Sequence, residues 1–389
     1  MPFPPDPSVI VPRRQHPNLA KCIQLMEQVY GDFGAIENPD IWIPPPMADC
    51  HKGRYLWTDA FGVINFLTIY KETGDERYRT LACRLIHAVH DILGSDRSGQ
   101  FRLPGASEDE PLAGGLRIGK TGRYGRNGDG QYLHYHTMWM FALNRTTMAT
   151  GDPSWNELAM QLAKYTWPRF FRNPNNHMMG TWWKLSVDLT HSLTISEGYL
   201  DPLDCFLVLT LLQATSDACG SDIYLDDLID KFCDLARDRS INERADDYLD
   251  LGMGLWLSHW LVSHEDWART LMKANVRSLR GFLSPEYMDR QPLRNRIAFR
   301  EMGAIIGSQV VYRTVLDHPE WAEELLAYAT DALRFWEGRV EPLIDPADWP
   351  ITFNMMASAY VPGAWVHGYF RDNWFDNWIE QFEASDQEE

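Results

Sequence analysis

Basic residues are in short supply. Lysine and arginine total 36 against 54 aspartates and glutamates, a formal net charge of −18 over 389 residues. Nucleic acid is held by clustered Lys and Arg, so this balance excludes it as the main partner. Long apolar runs are also missing. No stretch approaches 18 consecutive apolar residues, which predicts no transmembrane helix and no stable membrane insertion. Cysteine is sparse, with six residues at 22, 50, 83, 205, 219 and 233. They form no CxxC pair and have no His at metal-ligand spacing, so reduced thiols in a cytoplasmic protein are expected. The opening Met1-Pro-Phe-Pro-Pro-Asp-Pro7 has neither the charged segment nor the apolar core of a secretion signal.

Aromatic residues, in contrast, are abundant: 16 Trp, 16 Tyr and 17 Phe. So many large rings need a large core or a large apolar cavity. The overall composition, 45% hydrophobic and 23% charged, is that of an ordinary globular chain.

A loose internal repeat organises the sequence. Thr73-Gly-Asp-Glu-Arg-Tyr78 recurs as Thr150-Gly-Asp-Pro-Ser-Trp155. Each copy follows one apolar helical run and opens another, with Gly as the stop and Asp75 or Asp152 as the N-cap. Six helix pairs follow from this pattern, the last formed by residues 352–365 and 369–382. The first member of each pair is apolar nearly all round, and the second carries charge on one face. Fully apolar helices are buried and amphipathic ones face solvent. The pattern predicts an all-α fold, an (α/α)6 toroid of six helical hairpins with long loops on one face. Residues 1–50 read as an N-terminal extension with a first outer helix, 51–383 as the catalytic toroid and 384–389 as an acidic tail. Gly62, Gly252, Gly254, Gly303 and Gly307 would let the inner helices crowd together.

Long connections at 94–130, 172–200, 281–298 and 337–351 enter the starts of inner helices, and loops of this length are usually functional. Acids gather at the same starts: Asp59; Glu197, Asp201 and Asp204; Asp247 and Asp250; Glu301. Several carboxylates converging on one cavity suit a hard cation such as Mg²⁺, or general acid–base chemistry. Capping and the helix dipole account for single acids equally well. Spacings of three and four place Glu197, Asp201 and Asp204 on one helical face, which capping alone does not require. Basic residues share the presumed face: Arg117, Lys120, Arg123 and Arg126 in the first long loop, Lys184 in the second, Arg296 and Arg300 beside the fifth inner helix. Together with the acids they suit a diphosphate held between Mg²⁺ and Arg or Lys. His134 and Tyr135 start the second inner helix and are candidate bases. Trp57 and Trp139 head the aromatic residues that would line the cavity.

Two motif matches carry little weight. Gly114-Gly-Leu-Arg-Ile-Gly-Lys-Thr121 fits the P-loop pattern, but a P-loop needs a preceding strand and a following helix. Asp226-Asp-Leu-Ile-Asp230 fits an Asp-rich isoprenoid motif, but it falls on an outer helix, where a solvated face explains it.

Four segments carry a family resemblance: Tyr55-Leu-Trp-Thr-Asp-Ala-Phe-Gly-Val-Ile-Asn-Phe-Leu-Thr68, Gly130–Arg145, Ser196-Glu-Gly-Tyr-Leu-Asp201 and Arg296-Ile-Ala-Phe-Arg-Glu301. From about residue 50 to 370 the chain resembles the α-ionylideneethane synthase family of unusual fungal sesquiterpene cyclases. The resemblance implies cyclisation of farnesyl diphosphate, a small-molecule isoprenoid diphosphate, after Mg²⁺-assisted diphosphate loss. The resemblance supplies no ligand set, so the roles follow from position at the helix starts: Asp59, Asp201, Asp204 and Asp250 would bind metal or order its water, and Arg117, Lys120, Lys184 and Arg300 would hold diphosphate. Glu197 would be essential for turnover, and His134, Tyr135 or the diphosphate itself would take the final proton. The rival reading is a carbohydrate-active (α/α)6 enzyme (glycoside hydrolase, lyase or epimerase) that uses paired carboxylates as acid and base and aromatic rings as sugar platforms.

Overall fold

A helix with apolar residues on every side needs neighbours on every side. That requirement builds this fold. The computed structural model describes residues 15–47, 54–122, 128–242, 245–312, 319–370 and 375–380. In chain order the helices are α1 (Leu19–Tyr30), α2 (Leu56–Thr73), α3 (Glu76–Leu93), α4 (Leu133–Thr150), α5 (Ser154–Thr166), α6 (Asp201–Cys219), α7 (Asp226–Asn242), α8 (Tyr248–Leu261) and α9 (Asp266–Phe282). The single-turn α10 (Pro285–Met288) follows, then α11 (Ala298–Val311), α12 (Pro319–Trp336), the single-turn α13 (Val340–Leu343) and α14 (Trp349–Tyr360). Arg123, Arg126, Cys50 and the tail 384–389 lie outside the described residues.

The helices α2, α4, α6, α8, α11 and α14 form a closed inner ring, each packed on the next, with α14 returning to α2. Their interiors are buried almost without a break. Around them lie α3, α5, α7, α9, α12 and α1, each against one inner helix and each with an apolar stripe facing inward. This is the expected all-α (α/α)6 toroid. The pairing differs at one place. The expected partner at 369–382 lies partly outside the described residues, and the helix packed outside α14 is α1, which closes the ring from the N-terminal side. Residues 375–380 instead meet α8, where Phe375 sits edge-on to Trp260.

The first copy of the repeat caps as expected, with Asp75 as the N-cap of α3; in the second the N-cap of α5 is Pro153, and Asp152 bonds the first helical amide from one residue further out. Gly74 and Gly151 end α2 and α4 in the left-handed region, at φ 71° and 77°. Asp75 Oδ1 accepts from the Arg77 amide at 3.0 Å, and Asp152 Oδ1 accepts from the Ser154 amide at the same distance. The Asp75 cap contributes about 1 kcal/mol.

Glycine governs the α8–α11 crossing. A methyl group on Gly252 would overlap the Gly303 carbonyl, and one on Gly307 would overlap the Gly252 carbonyl. Backbone cannot move aside as a side chain can. Gly252→Val is therefore expected to destabilise the protein by about 3 kcal/mol or more, or to abolish folding. Gly281→Ala, in a helical position with open space around it, should instead be neutral or stabilise by about 0.5–1 kcal/mol. Urea unfolding of the two variants checks both.

The segment around Lys184 folds back on itself as a small hairpin, with Leu185 bridged antiparallel to Ser192 and the Ser186 amide donating to the His191 carbonyl at 2.9 Å. Its strand β2 (Lys184–Leu185) pairs antiparallel with β1 (Gln131–Tyr132), pinning the second long loop over the start of α4. Gly114–Thr121 is irregular coil with neither strand nor helix beside it, so the P-loop match is not a P-loop. Asp226, Asp227 and Asp230 are exposed on α7.

Candidate active site

All six inner helices begin at the same end of the ring. Their first turns and the loops before them enclose a cavity of about 410 Å³. Tyr55, Trp57 and Thr58 come from α2, and Tyr132, His134 and Tyr135 from α4. Glu197 to Leu200 come from the loop before α6 and Asp201 from its first residue, so Glu197 does not share a helical face with Asp201 and Asp204 as expected. Leu249 and Asp250 come from α8, Phe299 and Arg300 from α11, and Asp348, Pro350 and Ile351 from the start of α14. Trp183 from the second loop completes an aromatic wall.

The most distinctive arrangement is a histidine–carboxylate pair. His134 Nδ1 lies 3.1 Å from Asp204 Oδ2. Asp204 is fully buried, and its Oδ1 has no partner among the described residues. The imidazole lies against Trp57, ring centroids 4.4 Å apart. Burial alone would lower the basicity of His134, but the hydrogen bond and charge of Asp204, with Asp201 and Asp250 beyond, raise its pKa above the ordinary value. Burial also raises Asp204, against the pull of His134. With Nδ1 engaged, Nε2 is the ring nitrogen left for a molecule in the cavity.

Two further acids face the cavity. Asp201, 2% exposed, accepts from the Gly198 amide at 3.2 Å. Burial, opposed by His134 and helped by Asp204 and Glu197, pushes its pKa up to about 7. Asp250 rises to about 6 through burial and the neighbouring charge of Asp247. Tyr135 bonds Tyr55, oxygen to oxygen at 3.0 Å, and burial pushes its pKa well above the ordinary value. It therefore stays protonated near neutrality, a hydrogen-bonding group rather than a base.

These shifts fix the sign of a stability effect. Asp201 ionises near 3.8 when exposed and near 7 in the fold, so the native state binds the extra proton between those values. Its contribution is fully present below about pH 4 and is lost as pH rises through 7. Asp201→Asn removes the buried charge and keeps an acceptor for Gly198. It is expected to raise the unfolding temperature at pH 8 and to leave it unchanged at pH 4. Calorimetry across that range checks it; equal Tm differences at both pH values would contradict it.

The structure brings Trp57, His134, Tyr135, Glu197, Asp201, Asp250 and Arg300 to the cavity, with Asp204 directly behind His134. Glu197 is already engaged there: its Oε1 accepts from the Thr181 hydroxyl at 3.0 Å and its Oε2 from Arg239 Nε at 3.2 Å. Arg300 pairs with Asp247, which also caps α8. Five expected residues are elsewhere. Asp59 is buried between inner and outer rings, 2.9 Å from the Tyr30 hydroxyl and 3.6 Å from Arg54. Arg117 is buried and bound to Asp129 at 2.6 Å and to the Ser95 and Ile92 carbonyls. Lys120 and Lys184 lie over the Tyr132 ring, and Lys184 donates to the Gly128 carbonyl. Trp139 donates from Nε1 to His90 Nε2 at 3.1 Å, away from the cavity. The first-loop basic residues thus hold the loop together, and among the described residues Arg300 is the one expected diphosphate ligand that reaches the cavity. Among those residues, too, no three His, Cys, Asp or Glu side chains group so as to hold a metal ion.

Sequence reasoning did not single out Tyr55, Asp348 or Ile351. The length of the 337–351 connection was the available signal for the last two.

Comparisons with known proteins bear on the fold. No protein-family model matches the chain, and no curated protein does. Neither result bears on the resemblance to the α-ionylideneethane synthase family. Among solved structures, the chain is similar to a GH76 α-mannanase from Bacteroides thetaiotaomicron, at 10% identity and TM-score 0.55, over 91% of this chain and 98% of that one. It is similar to a cellobiose 2-epimerase from Bacillus thermoamylovorans, at 10% identity and TM-score 0.53, over 88% and 98%. It is also similar to a D-mannose isomerase, at 10% identity and TM-score 0.51, over 82% and 85%. These neighbours correct the expectation of a sesquiterpene cyclase acting on farnesyl diphosphate with Mg²⁺: none is a terpene synthase, and all three are carbohydrate enzymes by name. The commitment of Arg117, Lys120 and Lys184 outside the cavity gives the physical reason. No helix among the described residues is long and apolar enough to cross a membrane.

Proposed function

We propose that this chain is a carbohydrate-active enzyme that moves a proton on a sugar carbon next to a carbonyl, an epimerase or isomerase. The observation that carries this reading is the His134–Asp204 pair opening on an aromatic cavity that also holds Asp201. Ring faces such as Trp57 and Trp183 suit the apolar faces of a sugar, and carboxylates suit its hydroxyls. The open-chain form of an aldose has an acidic C2 hydrogen. Neutral His134 takes that proton through Nε2, and Asp204 stabilises the imidazolium formed. Asp201, ionising near neutrality, is protonated often enough to donate to the developing enolate oxygen. Tyr55 and Tyr135, beside His134 on the same wall, bond the substrate's hydroxyls.

A second reading rests on the two raised carboxyls, Asp201 and Asp250, which could serve as acid and base of a glycoside hydrolase. Incubation with aldohexoses, ketohexoses and β- and α-linked disaccharides separates the two. The first reading predicts interconversion of isomers without release of monosaccharide. The second predicts new reducing ends. Because every proton-moving group here is a side chain, EDTA is expected to leave turnover unchanged. Inertness toward the whole panel would overturn the carbohydrate reading.

A further inference from the structure

The charge balance of the cavity narrows its substrate. Glu197, Asp201, Asp250 and Asp348 line it, against one guanidinium, Arg300. Arg300 is committed to Asp247, and Glu197 to Arg239 and Thr181. Among the described residues no Lys or Arg side chain forms an ion pair with Asp201 or Asp250. Asp201 is nearly fully buried, and its one hydrogen-bond donor is the Gly198 amide. Asp201 has the His134 imidazole as its opposing charge, whereas Asp250, among the described residues, faces the cavity without an ion-paired Lys or Arg, and a cationic ligand there gains a direct charge–charge attraction.

The walls point the same way. Trp57, Tyr132, Tyr135, Trp183, Tyr199 and Phe299 surround the space these acids face. Tyr132 is stacked on Trp183, with centroids 5.1 Å apart and planes 20° from parallel, and its ring already carries the Lys120 and Lys184 ammonium groups, so the other rings are the ones offered to a ligand. Aromatic faces attract ammonium groups, more strongly where water is excluded. Rings beside the Asp250 carboxylate form a recognition site for a positive charge. A phosphate placed there would meet the same carboxylate and be repelled.

We propose that the sugar bound here carries a free, protonated amine, with Asp250 and the aromatic wall recognising the ammonium group. This inference rests on the carbohydrate reading above and deepens it by naming a substrate class: amino sugars in preference to neutral, N-acylated or phosphorylated ones. The net charge of −18 assists capture, since it raises the local concentration of cations.

Isothermal titration calorimetry of the full chain at pH 7.5 tests it, with glucosamine, glucose, N-acetylglucosamine and glucosamine 6-phosphate as the probes. Glucosamine is expected to bind at least about tenfold more tightly than glucose or N-acetylglucosamine, and the phosphate ester more weakly than glucosamine. Asp250→Asn should reduce the preference for the amine over glucose to about twofold or less. Equal or tighter binding of glucose or N-acetylglucosamine by the unmodified chain would overturn this inference and leave the carbohydrate reading standing. An undiminished amine preference in Asp250→Asn would overturn the assignment to this carboxylate. Binding of none of the four would also overturn this inference, while the carbohydrate reading stands or falls on the sugar and disaccharide panel above.

Discussion

Asparagine at His134 is expected to lower kcat by about 10²- to 10⁴-fold, the usual contribution of a positioned general base. The substitution keeps a polar side chain beside Asp204 and removes the group that accepts a proton at Nε2. The loss should fall on kcat rather than KM, because the aromatic walls and carboxylates that hold the sugar are untouched. The rate of the unmodified enzyme should fall on the acid side as the imidazole protonates, at a pH above the ordinary histidine value because of its acidic neighbours. Asp204→Asn tests the pair from the other side. It removes the charge that stabilises the imidazolium, so the acid limb of the pH profile should move to lower pH. A purely structural Asp204 would leave that limb in place. Steady-state kinetics across pH 5–9 on the three proteins separates the cases.

A large effect on stability is also expected at Arg296. Glu301 is completely buried, and Arg296 meets it with two bonds, Nε to Oε1 at 2.9 Å and a terminal nitrogen to Oε2 at 2.6 Å. Trp336 Nε1 donates to the same Oε2 at 2.8 Å. The guanidinium also lies 3.7 Å from the centre of the Phe335 ring. Removing one partner of a buried pair leaves an uncompensated charge, so Arg296→Ala is expected to cost about 3–5 kcal/mol. Replacing both partners, Arg296→Met with Glu301→Gln, should recover more than half of that loss, because no buried charge is left unpaired. Denaturant unfolding of the single and double variants checks it. A single variant as stable as the parent would show that Glu301 finds another partner or water.

The ring was legible wherever residues faced the core on all sides. Phe61-Gly-Val-Ile-Asn-Phe-Leu67 and Leu251-Gly-Met-Gly-Leu-Trp-Leu257 cannot be surface helices, and the Thr-Gly-Asp repeat announces where its helices stop. The sixth outer helix was harder. Leu19, Cys22, Met26 and Tyr30 make a plain amphipathic stripe on α1. Nothing local says that the stripe belongs on α14, more than 300 residues away, because ring closure is a long-range choice made by packing.

The site was legible as a place, since acids and rings collect at the starts of inner helices. Its internal pairing was not. His134 and Asp204 are 70 residues apart, and reading Asp204 as a metal ligand missed the imidazole facing it. The basic loop misled for the same reason: one buried carboxylate, Asp129, draws in both Arg97 and Arg117 and turns apparent ligands into struts. Asp59 and Glu301 show the other side of the acid pattern, as helix-start carboxylates held by Arg54 and Arg296 rather than presented to a ligand.

The central claim is proton transfer on a sugar carbon by His134. Proton nuclear magnetic resonance in deuterated water reads that step directly, by following the C2 hydrogen of glucose, mannose and glucosamine with the enzyme and with the His134→Asn variant. The account predicts that the C2 signal of at least one sugar fades as solvent deuterium enters, and that the variant slows the loss at least a hundredfold. Isomer formation with the C2 hydrogen retained, or exchange that His134→Asn leaves unchanged, would contradict it.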